Sequence, residues 1–169
     1  NASLLDEGSS AAEVMTMCYS YHKAKRNQFF VSDTLHPQTL KVLETRAYAL
    51  EIDLKIDNID KFELGSDTCG FMFQYPDTNG EISIPDEMIT ESKENDIIST
   101  CSNDLLASCI FKSPGEAGVD IAFGSMQRFG VPMYYGGPHP AYVACTGKFL
   151  RYIPGRIIGE SIDIKGNNC

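Results

Sequence analysis

Residues 28–54 read QFFVSDTLHPQTLKVLETRAYALEIDL, and this stretch holds one full strand–helix–strand period. Gln28-Phe29-Phe30-Val31-Ser32 is a short, nearly continuous apolar run, which predicts a buried strand. His36-Pro37-Gln38-Thr39 opens a helix. Pro37 suits its first turn, where a backbone N–H has no helical partner anyway, and Leu40, Leu43 and Ala47 fall on one side. Ile52 and Leu54 then start the next strand.

The same rhythm extends outward. Upstream, Asp6-Glu7-Gly8-Ser9-Ser10 precedes the apolar stripe Ala11, Val14, Met15 and Cys18. Ser9 or Ser10 is expected to cap this helix, with Glu13 completing a capping box from Ser10. The helix should end near the basic cluster Lys23 to Arg26. Downstream, Cys69 to Gln74 predicts a strand, Pro76-Asp77-Thr78-Asn79-Gly80 a turn, and Asp86 to Glu94 a polar helix. Ile97 to Cys101, Asp120 to Gly124 and Tyr142 to Cys145 predict further strands. Asp104 to Ile110 and Phe149 to Tyr152 predict short helices. Strands alternating with helices argue for an α/β layer structure with a largely parallel sheet.

Composition sets the outer bounds. The 169 residues fit about one domain, and no linker, internal repeat or low-complexity tract divides them. Hydrophobic residues make up 43% and charged residues 22%, ordinary values for a globular protein. No apolar run reaches the ~18 residues that a membrane-spanning helix needs. The formal charge of −9 argues against a generally basic nucleic-acid-binding surface, though not against a local basic pocket. There are six cysteines, with no Cys-x-x-Cys or Cys-x-x-His pair to support a metal site. They mostly sit in apolar segments and read as buried small hydrophobes in a reducing compartment.

In open α/β sheets ligands sit beyond the carboxyl ends of the strands, and three loops qualify. Gly8-Ser9-Ser10 offers backbone N–H groups and two hydroxyls for a phosphate, or is a plain N-cap. His36 either stacks on a ring or shuttles protons, or caps the helix that Pro37 opens. The third loop runs from Gly124-Ser125-Met126-Gln127-Arg128-Phe129-Gly130 to Gly136-Gly137-Pro138-His139. Arg128 there is able to clamp a carboxylate or phosphate; the alternative is a glycine-rich turn between two strands. No Walker A loop, strand–GxGxxG–helix fingerprint or nucleophile elbow occurs.

The third loop and its surroundings closely resemble the P-protein family of the glycine cleavage system, the pyridoxal-phosphate-dependent glycine dehydrogenases (decarboxylating). Lys112-Ser113-Pro114-Gly115-Glu116, Gly118-Val119-Asp120-Ile121-Ala122 and Gly124 through Pro132 into Gly136-Gly137-Pro138-His139 carry the likeness. So do Asn1 to Gly8, His36-Pro37-Gln38-Thr39, Phe73-Gln74-Tyr75-Pro76-Asp77-Thr78 and Pro154-Gly155-Arg156-Ile157-Ile158-Gly159, in the family's order.

The resemblance implies a fold-type-I pyridoxal-phosphate-dependent transferase (aminotransferase-like) large domain, incomplete here. Residues 1–169 would be part of the amino-terminal, non-lysine-bearing half, with Asn1 inside a family motif and Cys169 mid-domain. In the intact enzyme, glycine is decarboxylated through pyridoxal phosphate, and the aminomethyl group passes to the lipoyl arm of the H-protein. The cofactor is bound covalently by a lysine in the other half. Laying that half's lysine segment on this one puts Gln127 at the Schiff-base position, and Gln has no amine nucleophile. No residue here is then expected to be catalytic.

Ser9, Ser10 and His36 would be candidates for inherited cofactor contacts, and Arg128 and His139 for the active-site entrance or an interface. Tyr134 stands where the family usually has Gly, and Pro140 where it usually has Ala. A positive φ at Tyr134 would cost ~1 kcal/mol or more. The implied partners are glycine, the lipoylated H-protein and the lysine-bearing half or subunit, in a homodimer or two-half assembly. The implied location is the mitochondrial matrix in a eukaryote and the cytoplasm in a bacterium. One rival is a non-catalytic aminotransferase-like interaction domain. Another is a stand-alone enzyme whose lysine lies past Cys169. Exposed apolar interface and self-association of the isolated piece are expected.

Overall fold

The computed structural model describes residues 1–154, 156–157 and 159–168. Gly155 and Ile158 of the Pro154–Gly159 motif, and the sixth cysteine, Cys169, lie outside the described residues. The elements run β1 (Ala2–Leu4), α1 (Glu7–Tyr21), β2 (Gln28–Ser32), α2 (Pro37–Leu50), β3 (Asp53–Asp57) and β4 (Thr68–Tyr75). Then follow α3 (Asp86–Glu94), β5 (Ile98–Asn103), β6 (Ile121–Ser125), β7 (Ala141–Cys145) and β8 (Arg156–Ile157). All strands join one 8-stranded sheet in the order β3-β2-β4-β5-β6-β7-β1-β8.

From β3 through β6 every pairing is parallel. The β6–β7, β7–β1 and β1–β8 pairings are antiparallel. The expected mostly parallel sheet flanked by helices is therefore present. Two reversals bring β1 back into line with β6, so the head of α1 meets the carboxyl ends of the parallel strands.

Three local expectations change. The stretch Asp104 to Ile110 forms only a 3-10 turn at Ala107–Cys109, and Phe149 to Tyr152 belongs to a 3-10 stretch at Gly147–Tyr152. The cap of α1 is neither Ser9 nor Ser10 but Asp6, whose Oδ1 accepts the Ser9 N–H at 2.8 Å. Starting the helix there lets Ser10 turn fully inward, its hydroxyl donating to the Asp6 carbonyl at 2.8 Å.

Both faces of the central strands β2, β4 and β5 are buried, which is why they read as apolar runs, whereas edge strand β3 alternates between exposed and half-buried residues. Along β2, Phe29 and Val31 join the α1 and α2 side with Val14, Met15, Cys18, Leu43 and Ala47. Phe30 joins the α3 side with Phe71, Phe73 and Ile89. This is the period-two alternation of a strand. An irregularity in the β2–β4 register at Gln28/Phe29 puts Cys69 and Met72 on one face despite their odd spacing. Beside it Gly70 allows a close approach: a Cβ there would stand 2.8 Å from the Ile98 carbonyl and 3.1 Å from Cys18 Sγ.

At the amino ends of the strands, buried Asp120 ties three elements together. Its Oδ2 accepts the Ser99 N–H (3.1 Å) and hydroxyl (3.2 Å), and its Oδ1 pairs with Lys148 Nζ at 3.0 Å. Lys148 also lies over the Phe149 ring, 4.7 Å from its centroid. This cluster braces the pole opposite the candidate site.

Candidate functional site at the strand carboxyl ends

Two neighbouring clefts open where β4, β5 and β6 end. One, of about 590 Å³, is lined by Asp6, Glu7, Gly8, His36, Gln38, Thr39, Val42, Gln74 and His139. The other, of about 220 Å³, is lined by Glu7, Gln74, Pro76, Ser102, Asn103, Asp104, Ser125 and Arg128. Glu7 and Gln74 belong to both. A third depression, around Asp33, Asp60, Asp77 and Glu81, also reaches Gln74. Among the described residues no group of three or more His, Cys, Asp or Glu side chains could hold a metal ion.

His36 has the capping role that was one of its two readings. Its Nδ1 accepts the Gln38 N–H at 3.3 Å at the head of α2, and its own N–H donates to Gln74 Oε1 at 2.9 Å. The exposed imidazole shares the larger cleft with His139. The fold thus brings together two histidines more than a hundred residues apart. Ser9 and Ser10 do not line either cleft. The Ser9 hydroxyl donates to Asp6 Oδ2 at 2.9 Å, so both its N–H and O–H are committed to one carboxylate.

Gln127 begins the 3-10 turn Gln127–Phe129 that follows β6. Its N–H donates to Ser125 Oγ (3.2 Å) and its Nε2 to the Val131 carbonyl (2.9 Å), so the side chain clasps its own loop. Next to it, half-exposed Arg128 pairs with Asp104 at the end of β5. The loop then carries Tyr134 at φ +40°, the left-handed backbone that tyrosine rarely adopts. The side chains of Phe129, Met133, Tyr134 and Tyr135 are all exposed along it.

Residue reading alone singled out neither Gln74, Glu7 nor Asp104. Gln74 breaks the apolar run of β4 at its carboxyl end, which was the available signal. Glu7 accepts the hydroxyl of buried Ser102 at 3.0 Å. Beneath the smaller cleft, the Tyr142 hydroxyl donates to the Asn103 carbonyl at 3.2 Å, and burial pushes its pKa up, so it remains a neutral donor. The buried thiols are not reactive groups. Burial raises Cys18 and Cys101, and raises Cys69 to about 12.

The sequence profile of the glycine cleavage system P-protein family matches residues 1–169. Curated relatives include the glycine dehydrogenases (decarboxylating) of Vibrio cholerae serotype O1, 48% identical, and of Aliivibrio fischeri strain MJ11, 49% identical. Each alignment spans 169 residues, 100% of this chain and 18% of the relative. The chain thus spans less than a fifth of the length of these relatives. Among solved structures, inhibitor-bound glycine decarboxylase (P-protein) of the glycine cleavage system superimposes with a TM-score of 0.86 at 26% identity. That match covers 98% of this chain and 39% of the other. A cystathionine gamma-lyase from Lactobacillus plantarum, at TM-score 0.64 and 13% identity, covers 89% of this chain and 39% of its own, and shares the fold alone. The chain has the fold-type-I architecture of pyridoxal-phosphate-dependent enzymes.

Proposed function

This chain belongs to the glycine cleavage system P-protein family, and we propose that it is part of the large domain of the amino-terminal, non-lysine-bearing half of such a protein. The whole protein decarboxylates glycine and passes the aminomethyl group to the lipoyl arm of the H-protein. Pyridoxal phosphate supplies the electron sink for that decarboxylation, held by a lysine outside residues 1–169. The bacterial origin of the relatives supports a cytoplasmic location.

The observation that carries this division of labour is Gln127. It stands in the turn after β6 with its amide spent on the Val131 carbonyl, and it offers no amine for a cofactor. The role left to this chain is scaffold and interface. Arg128, fixed by Asp104, and His139, at the mouth of the larger cleft, would border the entrance to the active site. The exposed Phe129, Met133, Tyr134 and Tyr135, all on one loop, support a contact with the lysine-bearing half, because several large apolar side chains left exposed together mark association surfaces.

The test is carbon exchange between glycine and bicarbonate by the full-length protein. Exchange should require lipoylated H-protein and pyridoxal phosphate. A protein fully loaded with cofactor that fails to exchange with competent H-protein would remove the proposal.

A further inference from the structure

We infer that Asp6 is a built-in anion that closes the head of α1 to phosphate, so that this cleft actively rejects phosphorylated cofactors and does not merely lack a lysine. The inference rests on the reading of this chain as the cofactor-free half.

The first turn of a helix carries free N–H groups and about half a unit of positive charge, which is what a phosphate group would use. In this chain one of those donors, the Ser9 N–H, is already taken by the Asp6 carboxylate, whose negative charge sits over the head of the helix. Asp6 Oδ1 takes the Ser9 N–H at 2.8 Å and Oδ2 takes the Ser9 hydroxyl at 2.9 Å. The Asp6 carbonyl takes the Ser10 N–H at 2.9 Å and the Ser10 hydroxyl at 2.8 Å. Both hydroxyls of the Gly8-Ser9-Ser10 loop are therefore committed within the chain.

The surroundings reinforce the exclusion. Glu7, the next residue, lines the same cleft and is anchored by Ser102, so a second carboxylate faces any entering anion. The lining of the larger cleft contains no lysine or arginine. Arg128, in the adjoining cleft, is already neutralised by Asp104. A phosphate dianion would meet two like charges and no lysine or unpaired arginine, only the imidazoles of His36 and His139, while losing its own hydration. The same count shows that the residues present do not fit pyridoxal phosphate, and that a lysine restored at position 127 would not suffice to hold it.

The experiment uses the full-length protein after borohydride reduction, which fixes its own cofactor in place. Inorganic phosphate is the probe, titrated by calorimetry, with hydrogen exchange of the α1 amides as the site-specific readout. Wild type should show no saturable phosphate binding that protects α1. Asp6→Asn keeps the cap and removes the charge, and Asp6→Ser substitutes another good cap. Both should bind phosphate at least about tenfold more tightly than wild type, with protection at Gly8 to Ser10. In a parallel arm, Gln127→Lys alone should gain no pyridoxyl label at residue 127 on reduction. Protection of α1 by phosphate in wild type, failure of both Asp6 variants to gain binding, or label at residue 127 in the single variant would each overturn the inference. A protein that carries no cofactor at all would instead defeat the proposed function, and the phosphate titration would still be decisive.

Discussion

Gly124→Ala probes how the sheet positions the site. A Cβ at residue 124 would overlap the carbonyl oxygen of Asn103 and stand 3.1 Å from Tyr142 Cε1. The obstructing oxygen is backbone at the end of β5, so no rotamer change relieves it. Overpacking of this kind costs about 1–3 kcal/mol, and a backbone obstacle places it near the upper end. Against this stands a gain of about 0.4–1 kcal/mol from restricting the unfolded chain. The net loss is about 2 kcal/mol. Hydrogen exchange of the β6 amides in the full-length protein should then speed up about thirtyfold, since 1.4 kcal/mol is a factor of ten. Relief by moving β6 away from β5 would also separate Arg128 from Asp104. Gly65→Ala and Gly147→Ala, where nothing lies within 4 Å of the added carbon, serve as controls and should not accelerate exchange. Exchange in Gly124→Ala as slow as in wild type would refute the close-approach reasoning.

Three further outcomes are expected. Asp120→Ala leaves the buried Ser99 N–H and the Ser99 hydroxyl proton without an acceptor, while the hydroxyl oxygen keeps the backbone N–H of residue 120, and should cost about 2–3 kcal/mol, read as faster exchange in β5; half-exposed Lys148 adds little to that figure. Of the five described thiols, exposed Cys109 should react first with a disulfide reagent in the native protein, with Cys18, Cys69 and Cys101 silent until unfolding; equal rates would contradict their burial. His22 is held below its ordinary 6.5 by burial and by Arg26, so the fold favours the neutral ring. Its contribution is complete above pH 6.5 and is lost as pH falls through the depressed value. His22→Gln should flatten that part of the urea-midpoint profile, and an unchanged slope would remove His22 as its source.

Much of this architecture can be read from residue patterns, and the exceptions have physical causes. Gln28–Ser32 and Asp86–Glu94 coincide with their predicted spans because an apolar run and an amphipathic polar stretch are each local signals. The three-residue β1 is too short to show a period. The reversed direction of β7 is set by the irregular loop before it, which carries no directional code. At the head of α1 the residue pattern points to Ser9 or Ser10 with a Ser10/Glu13 box, and not to Asp6, the cap that forms. Burial of Ser10 decided the outcome, and burial is a tertiary fact. The two readings of His36 could be separated only by seeing its Nδ1 on the Gln38 N–H. Gln74 and Asp104 escaped notice because their importance comes from where β4 and β5 end relative to α1 and β6, not from any motif around them.

Residues 1–169 are proposed to be the cofactor-free part of a pyridoxal-phosphate enzyme. The most direct test is to reduce the full-length holoprotein with borohydride and map the pyridoxyl-lysine by peptide mass. One labelled lysine per polypeptide is expected, outside residues 1–169. A label on Lys112, Lys148 or any other lysine within them would contradict it.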